Sequence, residues 1–216
     1  MCGFPKGEGQ ERAGRVGADA GRNIKVVTEP AQRLVRGVRW RALRGDTENM
    51  CVRLCRVAEL SAVQEIDRAA GQMFNEVDRP EVCGMLWHPE ALAACRDEGR
   101  LWVITGAEDW PAGFLVTDMV DGCLHIEQVS VDPGNARRGL GRALLDHAAE
   151  QAAAAGVPAL TLTTFADVPW NAPYYVRCGF RVLEDREVTA GVRAIRQREA
   201  SFGMDRWRRV CMRRDL

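Results

Sequence analysis

Two glycines and three arginines near the middle of the chain carry the clearest chemistry. Gly139 and Gly141 follow the break Asp132-Pro133-Gly134-Asn135 and are flanked by Arg137, Arg138 and Arg142. Glycine has no Cβ, so an anion can come close to the backbone, and arginine adds charge-assisted hydrogen bonds. A helix starting here would add its unpaired first N–H groups and the positive end of its dipole. Those parts together make a phosphate cradle. A P-loop is excluded because no lysine follows the glycines, and a dinucleotide fingerprint is excluded because residue 144 is Leu rather than Gly.

The flanking elements must position that cradle. Leu124-His-Ile-Glu-Gln-Val-Ser-Val131 alternates as a strand does, which puts His125, Glu127, Val129 and Val131 on one face. Asp-Pro-Gly-Asn then supplies turn chemistry. Beyond the glycines, Leu140, Leu144, Ala148, Ala152 and Ala155 form an apolar stripe, with Arg142, Asp146 and Glu150 facing elsewhere, so a helix follows.

The remaining chain from Met50 reads as further strands at 52–58, 101–105, 113–120, 159–164, 180–183 and 209–213. Helices are expected at 59–74, 90–98, 169–178 and 188–201. Asp121-Gly122 is a hairpin turn into the central strand. The sum is a mixed α/β sheet with helices on both faces.

The strand–glycine–helix arrangement resembles the GNAT superfamily of acyl-CoA-dependent N-acyltransferases. Their motif is a strand followed by (Gln/Arg)-x-x-Gly-x-(Gly/Ala) at a helix start. Gly139 and Gly141 match its small positions, and Ala136 departs from its first. Downstream, Asn171-Ala-Pro-Tyr-Tyr-Val-Arg-Cys-Gly-Phe180 is similar to the family's Asn…Tyr-x-x-x-Gly-Phe segment, with Tyr175 and Gly179-Phe180 in register. The resemblance spans roughly residues 50 to 216. It implies a mostly antiparallel central sheet, acetyl-CoA as co-substrate, and direct transfer to an amine in a ternary complex with no cysteine nucleophile.

By that resemblance, the backbone of Val129 and Val131 meets the pantetheine arm. Arg137, Arg138, Gly139, Leu140, Gly141 and Arg142 surround the phosphates, and Asn171 reaches the pantetheine or caps its helix. An alkylamine has a pKa of about 10.4, so presenting it unprotonated at neutral pH costs about 4–5 kcal/mol and calls for a base. Glu127 is the first candidate, with His125 one pleat back and water as alternatives. Tyr175 stands where the family places its acid for the departing thiolate; packing against Phe180 is the plainer role of such a ring. Tyr174, adjacent on a helix, is expected to face elsewhere. His147 is expected at the surface. His88, Trp87, Trp102 and Trp110 are candidates for the acceptor pocket, with Trp102, mid-strand, better suited to the core. An idle acyl-CoA-binding sensor is the alternative function.

Composition bounds the rest. The 216 residues carry no net formal charge and are 46% hydrophobic, which suits one α/β domain and gives no global signal for nucleic acid. No apolar run is long enough to span a membrane. Eight scattered cysteines without a C-x-x-C pair, and three histidines, point to free buried thiols in the cytoplasm and to no metal site. The acceptor is read as a small-molecule or peptide amine, and a homodimer is compatible with the chain. Residues 1–49 stand apart, with ten Lys+Arg against six Asp+Glu and no apolar period, as a basic disordered extension or a start assigned upstream of Met50.

Overall fold

A computed structural model describes residues 50–106 and 108–216; the extension at 1–49 lies outside the described residues. Seven strands form one sheet in the order β1-β2-β3-β4-β5-β7-β6. They are β1 Cys51–Leu54, β2 Leu101–Thr105, β3 Pro111–Val120, β4 Cys123–Val131, β5 Ala159–Phe165, β6 Arg181–Val182 and β7 Arg209–Asp215. Only β4 and β5 pair in parallel; every other neighbouring pair is antiparallel. The helices are α1 Leu60–Gln72, α2 Pro89–Asp97, α3 Leu140–Ala154, α4 Ala172–Arg177 and α5 Ala190–Ser201. The expected mixed, mostly antiparallel sheet is therefore present. Residues 55–58, expected as strand, lie outside β1 and turn into a short 3-10 segment.

Each sheet face has its own core. On one, Trp102, Leu115, Leu124, Ile126, Leu160 and Leu162 pack under Leu144, Leu145 and Ala148 of α3. On the other, Val103, Phe114 and Val116 pack under Val63 and Ile66 of α1 and Leu92 of α2. The predicted stripe of α3 is buried, apart from the half-buried Ala155, but the buried face is wider and includes Leu145, His147 and Ala149.

β4 does not keep one register along its length. Thr117 of β3 opposes Ile126 and Val116 opposes Gln128, so Glu127 has no partner opposite it. That extra residue is a β-bulge, which shifts the side-chain alternation by one position. Val129 and Val131 consequently pack with the α3-side core alongside Leu124 and Ile126. Glu127 reaches Arg198 of α5, and His125 bonds Thr161, both on the other side. The expectation that His125, Glu127, Val129 and Val131 share a face is corrected by this bulge.

The β3–β4 hairpin turns at Asp121 and Gly122, both left-handed at φ 49° and 77°. Asp121 also accepts the Gly191 N–H at 2.6 Å, capping α5 from this distant turn. The Thr189 hydroxyl and the Gly191 and Val192 amides hold its carboxyl below the usual range. Asp121→Ala is expected to lower stability in a urea melt by about 1 kcal/mol, the usual worth of an N-cap.

His147, expected at the surface, is fully buried against Trp102, with ring centroids 4.8 Å apart. It follows Leu144 by three positions and so falls on the same helix face. Neither ring nitrogen has a hydrogen-bond partner among the described residues, and burial lowers its pKa. His125 is also buried, its pKa pushed down to about 4. Unfolded histidines bind a proton near pH 6.5, while the folded ring of His125 refuses one until about 4. The unfolded state thus binds more protons across that window, and stability falls as pH drops from about 6.5 towards 4. His125 alone accounts for about 3 kcal/mol of it. Denaturant melts at pH 7.5 and 5 should show part of this loss, and His147→Leu should remove the share of His147; an equal loss in that variant would contradict a lowered His147 pKa.

Candidate active site

The turn between β4 and α3 is built for backbone donation. Arg137 and Gly139 are both left-handed, at φ 62° and 80°, and such alternation curls successive N–H groups into a concavity. The first bond into the helix runs from Ala143 N–H to Gly139 C=O at 3.0 Å. By ordinary helix geometry the amides of Leu140, Gly141 and Arg142 stay free at the mouth. Leu140 buries its side chain in the core, so it can offer a ligand only its N–H. A Cβ on Gly141 would stand 3.0 Å from the Tyr174 hydroxyl, whereas one on Gly139 would meet nothing. The left-handed backbone at 139 favours glycine, and at 141 a Cβ would crowd the Tyr174 hydroxyl.

Beside this mouth the sheet opens. β4 and β5 pair only through Leu124–Leu160, His125–Thr161 and Ile126–Leu162, and then part. Asp132 donates its N–H to Ala112 on β3 at 2.9 Å. Backbone direction alternates along a strand, so Val131 and Val129 point their N–H groups to the open edge. A cleft of about 1500 Å³ follows the gap. It is lined by Glu127, Val129, Val131, Arg137, Gly139, Leu140, Gly141, Arg142, Asn171 and Tyr175, and also by His125, His88 and Trp87. Arg138 is the one proposed cofactor residue outside the lining; it is exposed and donates to Asn135 Oδ1 at 3.0 Å. Arg142 is partly engaged, with the Arg177 carbonyl at 3.2 Å and Asp146 at 3.5 Å.

The two titratable candidates differ in environment. Burial raises the Glu127 carboxyl above its ordinary value, opposed first by the Arg198 guanidinium 3.5 Å away. Such a carboxylate is a better base than a solvated one. His125, depressed to about 4 and bonded through Nδ1 to Thr161 Oγ1 at 2.9 Å, is a poor proton acceptor by comparison. Burial pushes the Tyr175 phenol up, which keeps its proton available for donation. Its ring packs on Phe180 at 5.8 Å, the plainer role expected of it, while the residue also lines the cleft. Asn171 occupies the N-cap of α4, but its side chain makes no capping bond and lines the cleft.

Some site residues escaped the sequence reading. Tyr174, expected to face elsewhere, also lines the cleft, with its hydroxyl at Gly141. Asp67 of α1 is buried and accepts bonds from the Trp87 amide at 3.0 Å and Gln128 Nε2 at 2.6 Å. Gln128 in turn accepts the Trp87 indole N–H at 2.8 Å and donates to Ser130 at 3.0 Å. An Asp on a helix whose neighbours Val63 and Ile66 are core was the available signal. Trp102 is core, and Trp110 is exposed away from the cleft. Among the described residues no group of three His, Cys, Asp or Glu is placed to hold a metal, and no helix is long and apolar enough to cross a membrane.

Residues 62–180 match the model of the Acetyltransferase (GNAT) family. The fold is similar to that of the ribosomal-protein-S18-alanine N-acetyltransferase from Escherichia coli, at 21% identity and TM-score 0.54, covering 78% of this chain and 94% of that one. It is also similar to the PaiA N-acetyltransferase from Thermoplasma acidophilum in complex with coenzyme A, at 14% identity and TM-score 0.54, covering 78% and 99%. The N-acetylglutamate synthase from Neisseria gonorrhoeae, complexed with coenzyme A and N-acetyl-glutamate, matches at 14% and TM-score 0.59, over 78% of this chain and 35% of that one.

Proposed function

The chain belongs to the acetyltransferase (GNAT) family, and from that premise we propose that it moves an acetyl group from acetyl-CoA to a primary amine by direct attack in a ternary complex. The observation that carries this reading is the parting of β4 from β5 beyond Ile126 and Leu162, beside the glycine mouth of α3 and with Glu127 and Tyr175 on the same cleft.

The geometry supports the following roles. Free amides at Leu140, Gly141 and Arg142 take the pyrophosphate, with Arg137 and Arg142 adding charge. Val129 and Val131 N–H groups pair with the pantetheine amides as an extra strand would, which aims the thioester along β4. The amine nitrogen attacks the thioester carbon as its proton leaves towards Glu127, directly or through water. The C–S bond breaks, and the thiolate takes the Tyr175 hydroxyl proton. The products are the amide and coenzyme A with its thiol protonated. Glu127 and Tyr175 then exchange a proton with solvent.

The test is thiol release from acetyl-CoA across an amine panel, with the acetylated product detected by mass. Release coupled to product supports the proposal. Tight acetyl-CoA binding with no release for any amine would favour a sensor of the cofactor instead.

A further inference from the structure

We propose that the acceptor is a monoamine carrying a bulky apolar body, with an arylalkylamine as the best fit; the inference rests on the acyl-transfer reading above. Nine large hydrophobic side chains are exposed among the described residues, and three of them, Met85, Leu86 and Phe202, line this one cleft. Clustered apolar surface of that kind marks a binding site. Met85 and Leu86 come from the segment between α1 and α2, and Phe202 ends α5. The two segments are held together by Arg206 and Glu81 at 2.7 Å, and by Arg79, whose guanidinium lies over both Phe165 and Trp207. The apolar lip is thus tied in place from both sides.

Its wall is fixed as well. The Trp87 backbone and indole N–H groups are both taken, by Asp67 and Gln128, so what the residue offers a guest is its ring. An aromatic guest gains both area and ring contact against it.

Charge narrows the guest further. Asp67 is engaged by Trp87 and Gln128, Glu98 by Arg100, and Glu199 by Arg196 and Arg209. Glu127 is held most loosely, by the exposed Arg198 at 3.5 Å, and with Asp118 on the same cleft it forms the anionic end. That suits one ammonium and gives no row of carboxylates for a polycation.

The experiment uses the full chain loaded with coenzyme A and measures binding by calorimetry for three amines: 2-phenylethylamine, n-propylamine and spermidine. The proposal expects 2-phenylethylamine to bind about ten- to a hundredfold tighter than either competitor, the range one buried ring supports. Leu86→Ser and Phe202→Ser should erase most of that preference with coenzyme A affinity unchanged. Equal binding of all three, no binding of any, or tightest binding of spermidine overturns the proposal. So does a preference that survives both substitutions, or a tetrapeptide with N-terminal Phe binding tighter than 2-phenylethylamine. Preferred binding without any acetyl transfer would overturn the enzymatic reading and leave the ligand class standing.

Discussion

Gly141→Asp is expected to abolish acetyl-CoA binding at ordinary concentrations, with a loss of at least about a hundredfold in affinity. Two effects act in the same direction. The new side chain starts 3.0 Å from the Tyr174 hydroxyl and 3.7 Å from Val131, both of which line the cleft. A carboxylate there repels a pyrophosphate and blocks its hydrogen bonds; losing one charge-assisted bond costs about 1.5–3 kcal/mol, and the repulsion adds to it. About 3 kcal/mol together is already a hundredfold. Gly141→Ala separates the effects, since it brings the crowding without the charge and should cost much less. Calorimetry reads both, and circular dichroism melts confirm that the fold persists. Unchanged affinity in the Asp variant would remove the phosphate-cradle reading.

The second large effect divides two residues by their response to pH. Glu127→Gln keeps the shape of the side chain but cannot take a proton, so turnover near neutral pH should fall by about 10²–10⁴-fold. Part of the loss should return above pH 9, where more of the amine is unprotonated without help. Tyr175→Phe removes the thiolate's donor; turnover should fall with little change in acetyl-CoA affinity, and alkali should not restore it. The sign for Glu127 follows from its raised pKa. As pH rises through that pKa the base becomes competent, so wild-type activity climbs on the same limb that the Gln variant lacks. Equal, pH-independent losses in both variants would mean that the two residues only hold the cleft together. A dead His125→Ala beside an active Glu127→Gln would move the base one residue pair back along β4.

The sequence held the junction but not its curvature. The places of Gly139 and Gly141 at the strand–helix junction were legible because glycine and turn residues act locally. The bulge at Glu127 was not, because it arises from pairing with β3 and no residue type in His125–Gln128 demands it. An unbroken alternation puts Glu127 on one face with Val129 and Val131, and the bulge separates them. His147 was misplaced for a simpler reason. A polar residue on a stripe was read by type, whereas its position three residues after Leu144 decided its burial. Arg138 shows the limit of charge counting, since of the three arginines in residues 137–142 it alone stands outside the cleft lining. The cleft wall proposed to meet the acceptor comes from segments more than a hundred residues apart, Met85–Trp87 and Phe202–Met204, and only tertiary contact reveals it.

The placement of β7 has a consequence for how the molecule is made. β5 carries Leu160 and Leu162, and its outer edge is covered by β7, which the chain supplies only after α4, β6 and α5. A ribosome delivering this chain at about 5–20 residues per second leaves that edge open for several seconds. During that interval a second nascent copy offers the same backbone ladder that β7 will later fill, so the hazard is strand exchange between molecules rather than slow folding within one. Refolding yield should therefore decline as protein concentration rises, and a peptide with the sequence of β7, added in excess, should protect it.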